Sequence, residues 1–85
     1  MKPYRQECSE EEWLKSSQEV LEYAKHICKE HNGYHSSHEA LGVMMEEFQE
    51  FIETLHWNDV DSSVEEAIQL AAGFLVYVAL FQKGE

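Results

Sequence analysis

Apolar residues recur every three or four positions along three stretches of the chain, which is the spacing of amphipathic helices. Before the first stretch stand Ser9 and Glu12, the residues of a capping box, in which each side chain accepts a hydrogen bond from a backbone amide. Asn32 and Gly33 end the stretch, because glycine suits the left-handed residue after a helix. The pattern predicts a first helix over residues 10–31.

A second helix is predicted from Ser36 or Ser37, either of which can cap it, to about residue 55. Seven apolar residues form its stripe: Leu41, Met44, Met45, Phe48, Phe51, Ile52 and Leu55. At about 100° per residue, this stripe is centred opposite Glu46 and Glu50, whereas Glu47 lies at its edge. Glu47 is therefore expected at the border between core and solvent.

A third helix is predicted over about residues 64–82, after residues 57–61 interrupt the apolar pattern. Ser62 and Ser63 each have a glutamate three positions on, which indicates another capping box. This helix is apolar except for one polar stripe, formed by Glu66, Gln69, Gly73 and Tyr77. Gly73 costs about 1 kcal/mol in a helix interior relative to alanine. We therefore expect that it permits the close approach of another group.

These three helices predict an all-α fold in one domain of 85 residues, with the second and third helices forming an antiparallel hairpin. A chain this small buries only about 60% of its unfolded surface, and the third helix has little polar surface to face water. We therefore expect a homodimer in which two hairpins pack into a core like that of a four-helix bundle.

The net charge and the composition argue against some classes of binding partner. Six basic residues against 17 acidic ones give a formal net charge of −11, which argues against binding nucleic acid or an anionic membrane. The longest apolar stretch, Leu70 to Phe81, is shorter than the ~20 residues that span a bilayer. With two cysteines, no CxxC pair and no secretory signal, we expect a soluble protein of the reduced cytoplasm.

The glutamates that lie beside the apolar stripes are the candidate functional residues. Glu47 and Glu50 stand one turn apart on the second helix, and Glu66 opens the apolar third helix. A carboxylate beside apolar surface is costly unless it is paired or metal-bound, and hard cations prefer oxygen ligands. The pattern predicts a divalent cation between the two helices. The alternative is that these residues are solvated and that glutamates in first turns complement the helix dipole.

Over about residues 37–81 the chain resembles the MazG-like all-α nucleoside triphosphate pyrophosphohydrolases. The family pairs Glu-Glu-x-x-Glu on one helix with Glu-x-x-Asp on the next. The corresponding segments here are Glu46-Glu47-Phe48-Gln49-Glu50 and Glu66-Ala67-Ile68-Gln69. The resemblance implies Mg²⁺, with Mn²⁺ as an alternative, bound by Glu47, Glu50, Glu66 and Gln69. It also implies a catalytic set of Glu46, Glu47 and Glu50, in which Glu46 is an outer-sphere or base residue.

By this resemblance the substrate is a nucleoside triphosphate, whose hydrolysis releases the monophosphate and pyrophosphate. Trp57, in the loop between the two motifs, and Tyr77, on the polar stripe, are the candidate substrate contacts. Gln69 departs from the family, which usually has aspartate there, because an amide carries no charge and cannot act as a base. That difference favours the alternative hypothesis, a non-catalytic acidic helical dimer that binds a nucleotide or a protein partner.

A second candidate metal site surrounds the Gly33 turn. Its four members have a spacing compatible with zinc ligands: Cys28, His31, His35 and His38. We favour the other interpretation, a polar corner between helices in which the histidines are solvated or hydrogen-bonded.

Overall fold

The computed structural model describes residues 7–82, and they form three helices with no strand among them. Helix α1 is Glu10–His31, α2 is Ser37–His56 and α3 is Val60–Phe81. The predicted all-α fold of three helices is confirmed. The bounds of α1 agree with the prediction, and those of α2 agree to within a residue.

Local hydrogen bonds explain where α1 and α2 begin. The Ser9 hydroxyl accepts from the Glu12 amide at 3.1 Å, and the Glu12 carboxylate accepts from the Ser9 amide at 2.7 Å. Helix α1 ends at Asn32 and Gly33, both with positive φ, 58° and 67° respectively. The Ser36 hydroxyl caps α2 by accepting from the Glu39 amide at 3.1 Å. The predicted capping box and glycine stop are confirmed.

The predicted start of α3 is wrong, because the cap is Asp59 rather than Ser62 or Ser63. One Asp59 carboxylate oxygen accepts from the Ser62 amide at 3.1 Å, and the other accepts from the Ser62 hydroxyl at 2.7 Å. The Ser63 hydroxyl instead donates back to the carbonyl of Val60 at 2.7 Å. An aspartate one turn upstream therefore begins the helix, and both serines lie within its first turn.

Helix α3 is the centre of the fold. Helices α1 and α2 each pack against α3, and among the described residues no Cα atom of α1 lies within 8 Å of a Cα atom of α2. The start of α2, at Ser37 and Leu41, lies beside Tyr77 near the end of α3, so these two helices are antiparallel. The buried core is small and consists of Ala24, Tyr34, Ala40, Ala72 and Val76.

Large apolar side chains remain exposed on the two helices of the hairpin. Phe48 and Phe74 are 51% and 52% exposed, and no large side chain among residues 7–82 is fully buried. Six residues line a depression of about 280 Å³, called here the α2–α3 groove: Leu41, Met44, Met45, Phe48, Leu70 and Phe74. The radius of gyration is 14.4 Å. A compact chain of this length would have a radius of about 12 Å.

Helix α3 is longer than the apolar stretch that argued against a membrane-spanning segment. It has 22 residues, and an 18-residue window within it has a mean hydropathy of 1.6, so by length and composition alone it could cross a membrane. The expectation counted only Leu70 to Phe81, whereas the helix begins at Val60. Core helices of soluble proteins have the same length and composition, so cytoplasmic localisation stays a prediction.

Candidate functional site

The hairpin brings the predicted acidic residues of α2 and α3 together. Loss of solvent raises the pKa of Glu47, and the charges of Glu50, Glu66 and Glu46 raise it further. Loss of solvent also raises the pKa of Glu66, to which the charge of Glu50 and a hydrogen bond between these two carboxyl groups add. Glu47, Glu50 and Glu66, called here the carboxylate site, are therefore electrostatic neighbours across two helices.

Two oxygens of this site are buried without a hydrogen-bond partner. They are Oε1 of Glu47 and Oε2 of Glu66, one from each helix. Buried polar atoms in folded proteins are nearly always paired, because an unpaired one has lost its water without compensation. Carboxylate oxygens are the kind of atom that binds Mg²⁺ or Mn²⁺, so the chemistry of these residues suits a divalent cation.

Gly73 allows this arrangement, as the sequence predicted. A Cβ atom at Gly73 would lie 2.9 Å from the Tyr34 hydroxyl and 3.2 Å from Oε1 of Glu47. The Tyr34 hydroxyl donates to the Gly73 carbonyl at 3.3 Å. The close approach expected at Gly73 is confirmed, and the approaching groups are a tyrosine hydroxyl and a carboxylate.

Two tyrosines that the sequence did not predict lie near the acidic residues. Burial raises the pKa of Tyr23, and the charges of Glu47, Glu66 and Glu50 raise it further. Burial and the charge of Glu47 likewise raise the pKa of Tyr34. Both phenols therefore keep their protons and can donate hydrogen bonds. No spacing rule indicates them, because Tyr23 lies on α1 and Tyr34 in the α1–α2 link, both outside the acidic motifs.

A cleft of about 390 Å³ opens beside Glu47, between α1 and α2. One wall is a stripe of α1 residues spaced four apart, Tyr23, Ile27 and His31. The other wall is the matching stripe of α2, Glu39, Val43 and Glu47. Gly33 and Tyr34 complete the lining. The cleft exists because both helices pack on α3 and not on each other.

Two further predicted site residues lie on the same helices. Glu46 is exposed on α2, and its charge contributes to the raised pKa of Glu47. Gln69 is partly exposed on α3, about one turn after Glu66 and one turn before Gly73. The amide therefore lies on the helix stripe that faces the carboxylate site.

The two predicted substrate contacts lie elsewhere. Trp57 is 77% exposed after the end of α2, with its ring 5.5 Å from that of His56. Tyr77 packs on Phe81 at a ring distance of 4.7 Å, and beside the start of α2 it lines a separate depression of about 440 Å³. Neither residue is part of the cleft lining.

Among residues 7–82, no three histidine, cysteine, aspartate or glutamate side chains are arranged as ligands of one metal ion. His31 lines the cleft, and the backbone amide of His35 donates to the Glu39 carboxylate at 3.3 Å. Cys28 is an exposed free thiol. The side chains of Glu47, Glu50 and Glu66 would have to rotate to coordinate one cation together.

No protein-family model, curated protein or solved structure matches this chain. The functional argument therefore rests on the residues of the carboxylate site and on the cleft beside it.

Proposed function

We propose that this protein is a Mg²⁺-dependent nucleoside triphosphate pyrophosphohydrolase, which releases a nucleoside monophosphate and pyrophosphate. One observation carries the proposal: Glu47, Glu50 and Glu66 meet across two helices, and two of their oxygens are buried without partners. The same residues belong to the motif that resembles the MazG-like enzymes. In the proposal they hold Mg²⁺, or Mn²⁺ in its place, with Gln69 at the margin.

A cation is needed because the chain offers a triphosphate little positive charge of its own. The formal net charge is −11, and the lining of the cleft contains no lysine or arginine. When bound, the cation neutralises phosphate charge and favours attack by water. Glu47, Glu50 and Glu66 would hold that cation, which would in turn bind the phosphates, and the exposed Glu46 would accept a proton from the attacking water.

In the same proposal the enzyme is a homodimer of the cytoplasm. A second copy would cover the α2–α3 groove, where Phe48 and Phe74 are about half exposed. Covering such apolar surface is the main favourable term in association. Sedimentation at low micromolar concentration is expected to give a dimer or a larger assembly, and a stable monomer would contradict this part of the proposal.

A second candidate function is a non-catalytic acidic helical dimer that binds a nucleotide or a protein partner. The specific observation in its favour is Gln69, which stands where the resembling family usually has aspartate. An amide oxygen can bind a cation, but it supplies neither negative charge nor a base.

The experiment is to incubate the purified protein with Mg²⁺ and a panel of canonical and modified nucleoside triphosphates, and to measure pyrophosphate. We expect release from at least one triphosphate, and none after Glu50→Gln. The matched control is Glu53→Gln, which removes the same charge from an exposed position of the same helix. Equal release by both variants would contradict the assignment of Glu50.

Gln69→Asp separates the two candidate functions. If this variant gains hydrolysis that the natural protein lacks, the natural protein is a relic of an enzyme or a binding module. If the natural protein already releases pyrophosphate and the substitution changes the rate little, the amide is an adequate ligand.

A further inference from the structure

Tyr34 is the largest side chain of the buried core, and it brings a hydroxyl group into that core. The residue lies in the link between α1 and α2, outside both acidic motifs, and it is 8% exposed. Its hydroxyl donates to the carbonyl of Gly73 on α3 at 3.3 Å. That distance is longer than the ~2.7–2.8 Å that is typical between a hydroxyl donor and an oxygen acceptor, so this hydrogen bond is weak.

Oε1 of Glu47 lies beside the same hydroxyl group. A Cβ atom at Gly73 would be 2.9 Å from the Tyr34 hydroxyl and 3.2 Å from Oε1, so the two oxygens border one small space on α3. Oε1 is buried and has no hydrogen-bond partner. A hydrogen bond to an ionised carboxylate is about twice as strong as one to a neutral acceptor. The carboxylate of Glu47 is therefore a stronger acceptor for Tyr34 than the carbonyl of Gly73.

Two other side chains with hydrogen-bond donors line the cleft beside Glu47, and both have access to water. Tyr23 is partly exposed and His31 is exposed, whereas Tyr34 is buried. Water can accept hydrogen bonds from Tyr23 and His31, so neither needs the carboxylate. A buried hydroxyl has only protein acceptors, and a weakly bound one gains most from a carboxylate beside it. Of the three donors, Tyr34 therefore has the most to gain from Glu47.

We propose that Tyr34 is a positioning residue for Glu47, and that its hydroxyl turns from the carbonyl of Gly73 to donate to Oε1. The inference rests on the proposed function, in which Glu47 is a ligand of the cation. Each carboxylate oxygen has two lone pairs, so Oε1 can accept this hydrogen bond and still bind a cation. Outer residues that donate to metal ligands fix the orientation of those ligands, and their loss typically costs ~10–100-fold in metal affinity.

Tyr34→Phe tests this role without nucleotide or turnover, because it removes one oxygen and keeps the ring. Binding of Mn²⁺ alone, followed by electron paramagnetic resonance of the free ion, is expected to weaken about tenfold. The matched control is Tyr77→Phe, which removes the same oxygen from a ring that packs on Phe81 outside the cleft lining, and its Mn²⁺ affinity should not change. Unchanged Mn²⁺ affinity in folded Tyr34→Phe would overturn the positioning role.

A spectroscopic measurement separates a hydrogen bond to Glu47 from a general effect on packing. In metal-free protein labelled with ¹³C at the glutamate carboxyl carbons, Tyr34→Phe is expected to shift the signal of Glu47. The signal of Glu53, which is exposed on the same helix, should stay in place. Loss of Mn²⁺ affinity without a shift of the Glu47 signal would overturn the proposal. The same shift in Tyr23→Phe but not in Tyr34→Phe would also overturn it, because the donor would then be Tyr23.

The role of Tyr34 and the enzymatic function can fail separately. Pyrophosphate release from a triphosphate, with unchanged Mn²⁺ affinity in Tyr34→Phe, would overturn the role of Tyr34 and support the proposed function. Weakened Mn²⁺ binding together with the shift of the Glu47 signal, but no release from any triphosphate, would support the role of Tyr34 and overturn the enzymatic function. Absence of Mn²⁺ binding by the natural protein would overturn both.

Discussion

The carboxylate site and the α2–α3 groove are built on the same two helices, yet they leave opposite kinds of atom without a partner. In the site, Oε1 of Glu47 and Oε2 of Glu66 are buried and unpaired. In the groove, the rings of Phe48 and Phe74 are about half exposed. Buried oxygens require a small cation or a hydrogen-bond donor, whereas exposed rings require an extended apolar surface.

The difference teaches that adjacent stripes of one helix can serve different partners. On α3, Gly73 faces Glu47, whereas the next residue, Phe74, lines the groove. Successive residues of a helix point about 100° apart, so a single step along the chain moves from buried carboxylate oxygens to an exposed apolar surface. The following predictions separate the two regions.

The largest expected effect is on the groove. Phe48→Asp should weaken self-association about a hundredfold, because each copy loses half-exposed aromatic surface and gains a charge that must be desolvated. Sedimentation equilibrium measures the change. Leu14→Asp is the matched control, since Leu14 is 60% exposed on α1, away from the groove. Dissociation by Leu14→Asp alone would place the interface elsewhere.

A smaller effect is expected from the cation. Mg²⁺ at about ten times its dissociation constant should raise the free energy of unfolding by about 1.4 kcal/mol, because it binds only the folded site. Denaturant unfolding with and without Mg²⁺ measures this. Glu50→Gln should remove the stabilisation and Glu53→Gln should keep it. If Mg²⁺ stabilises both variants equally, Glu50 is not part of the site that it occupies.

Alanine substitutions at two glycines are expected to have still smaller effects, of opposite sign, on the free energy of unfolding. Gly73→Ala should lower the free energy of unfolding by about 1 kcal/mol, because crowding against Tyr34 and Glu47 outweighs the gain in helix propensity. Gly42→Ala should raise it by about 1 kcal/mol, since no heavy atom lies within 4 Å of its new Cβ. Thermal or urea unfolding of both variants tests this difference in sign.

The smallest expected effect is on pH dependence, because the carboxylates keep some contact with solvent. The pKa values of Glu47 and Glu66 are raised in the fold above the ordinary 4.5. The folded state therefore binds protons more readily, and without Mg²⁺ its stability should fall as the pH rises from about 4.5 through the raised pKa values. Urea unfolding at several pH values measures this. Glu47→Gln should reduce the change in the free energy of unfolding over that pH range more than Glu53→Gln does.

Local structure was largely predictable from the sequence, because its signals lie within a few residues of each other. The Ser9 capping box spans four residues, and the Asn32-Gly33 stop is a single dipeptide. The error at the start of α3 has the same local origin. Asp59 and Ser63 are both good cap residues, and only the structure shows that Asp59 accepts the amide hydrogen bond.

The candidate site was predictable only in part. The two acidic motifs indicated Glu47, Glu50 and Glu66, and Gly73 indicated a close approach. The approaching group, Tyr34, lies 39 residues earlier in the chain, and no periodicity relates positions that far apart. Tyr23 and the cleft beside it depend on how α1 is placed, which is a matter of packing rather than of local sequence.

The exclusive contact of α1 and α2 with α3 has a consequence for biosynthesis. Helix α3 follows both of its partners in the chain, so neither has a surface to dock on while the polypeptide is still growing. At about 5–20 residues per second, α1 stays undocked on the ribosome for about 3–10 s before α3 is complete. Until then its apolar stripe has no helix to pack against.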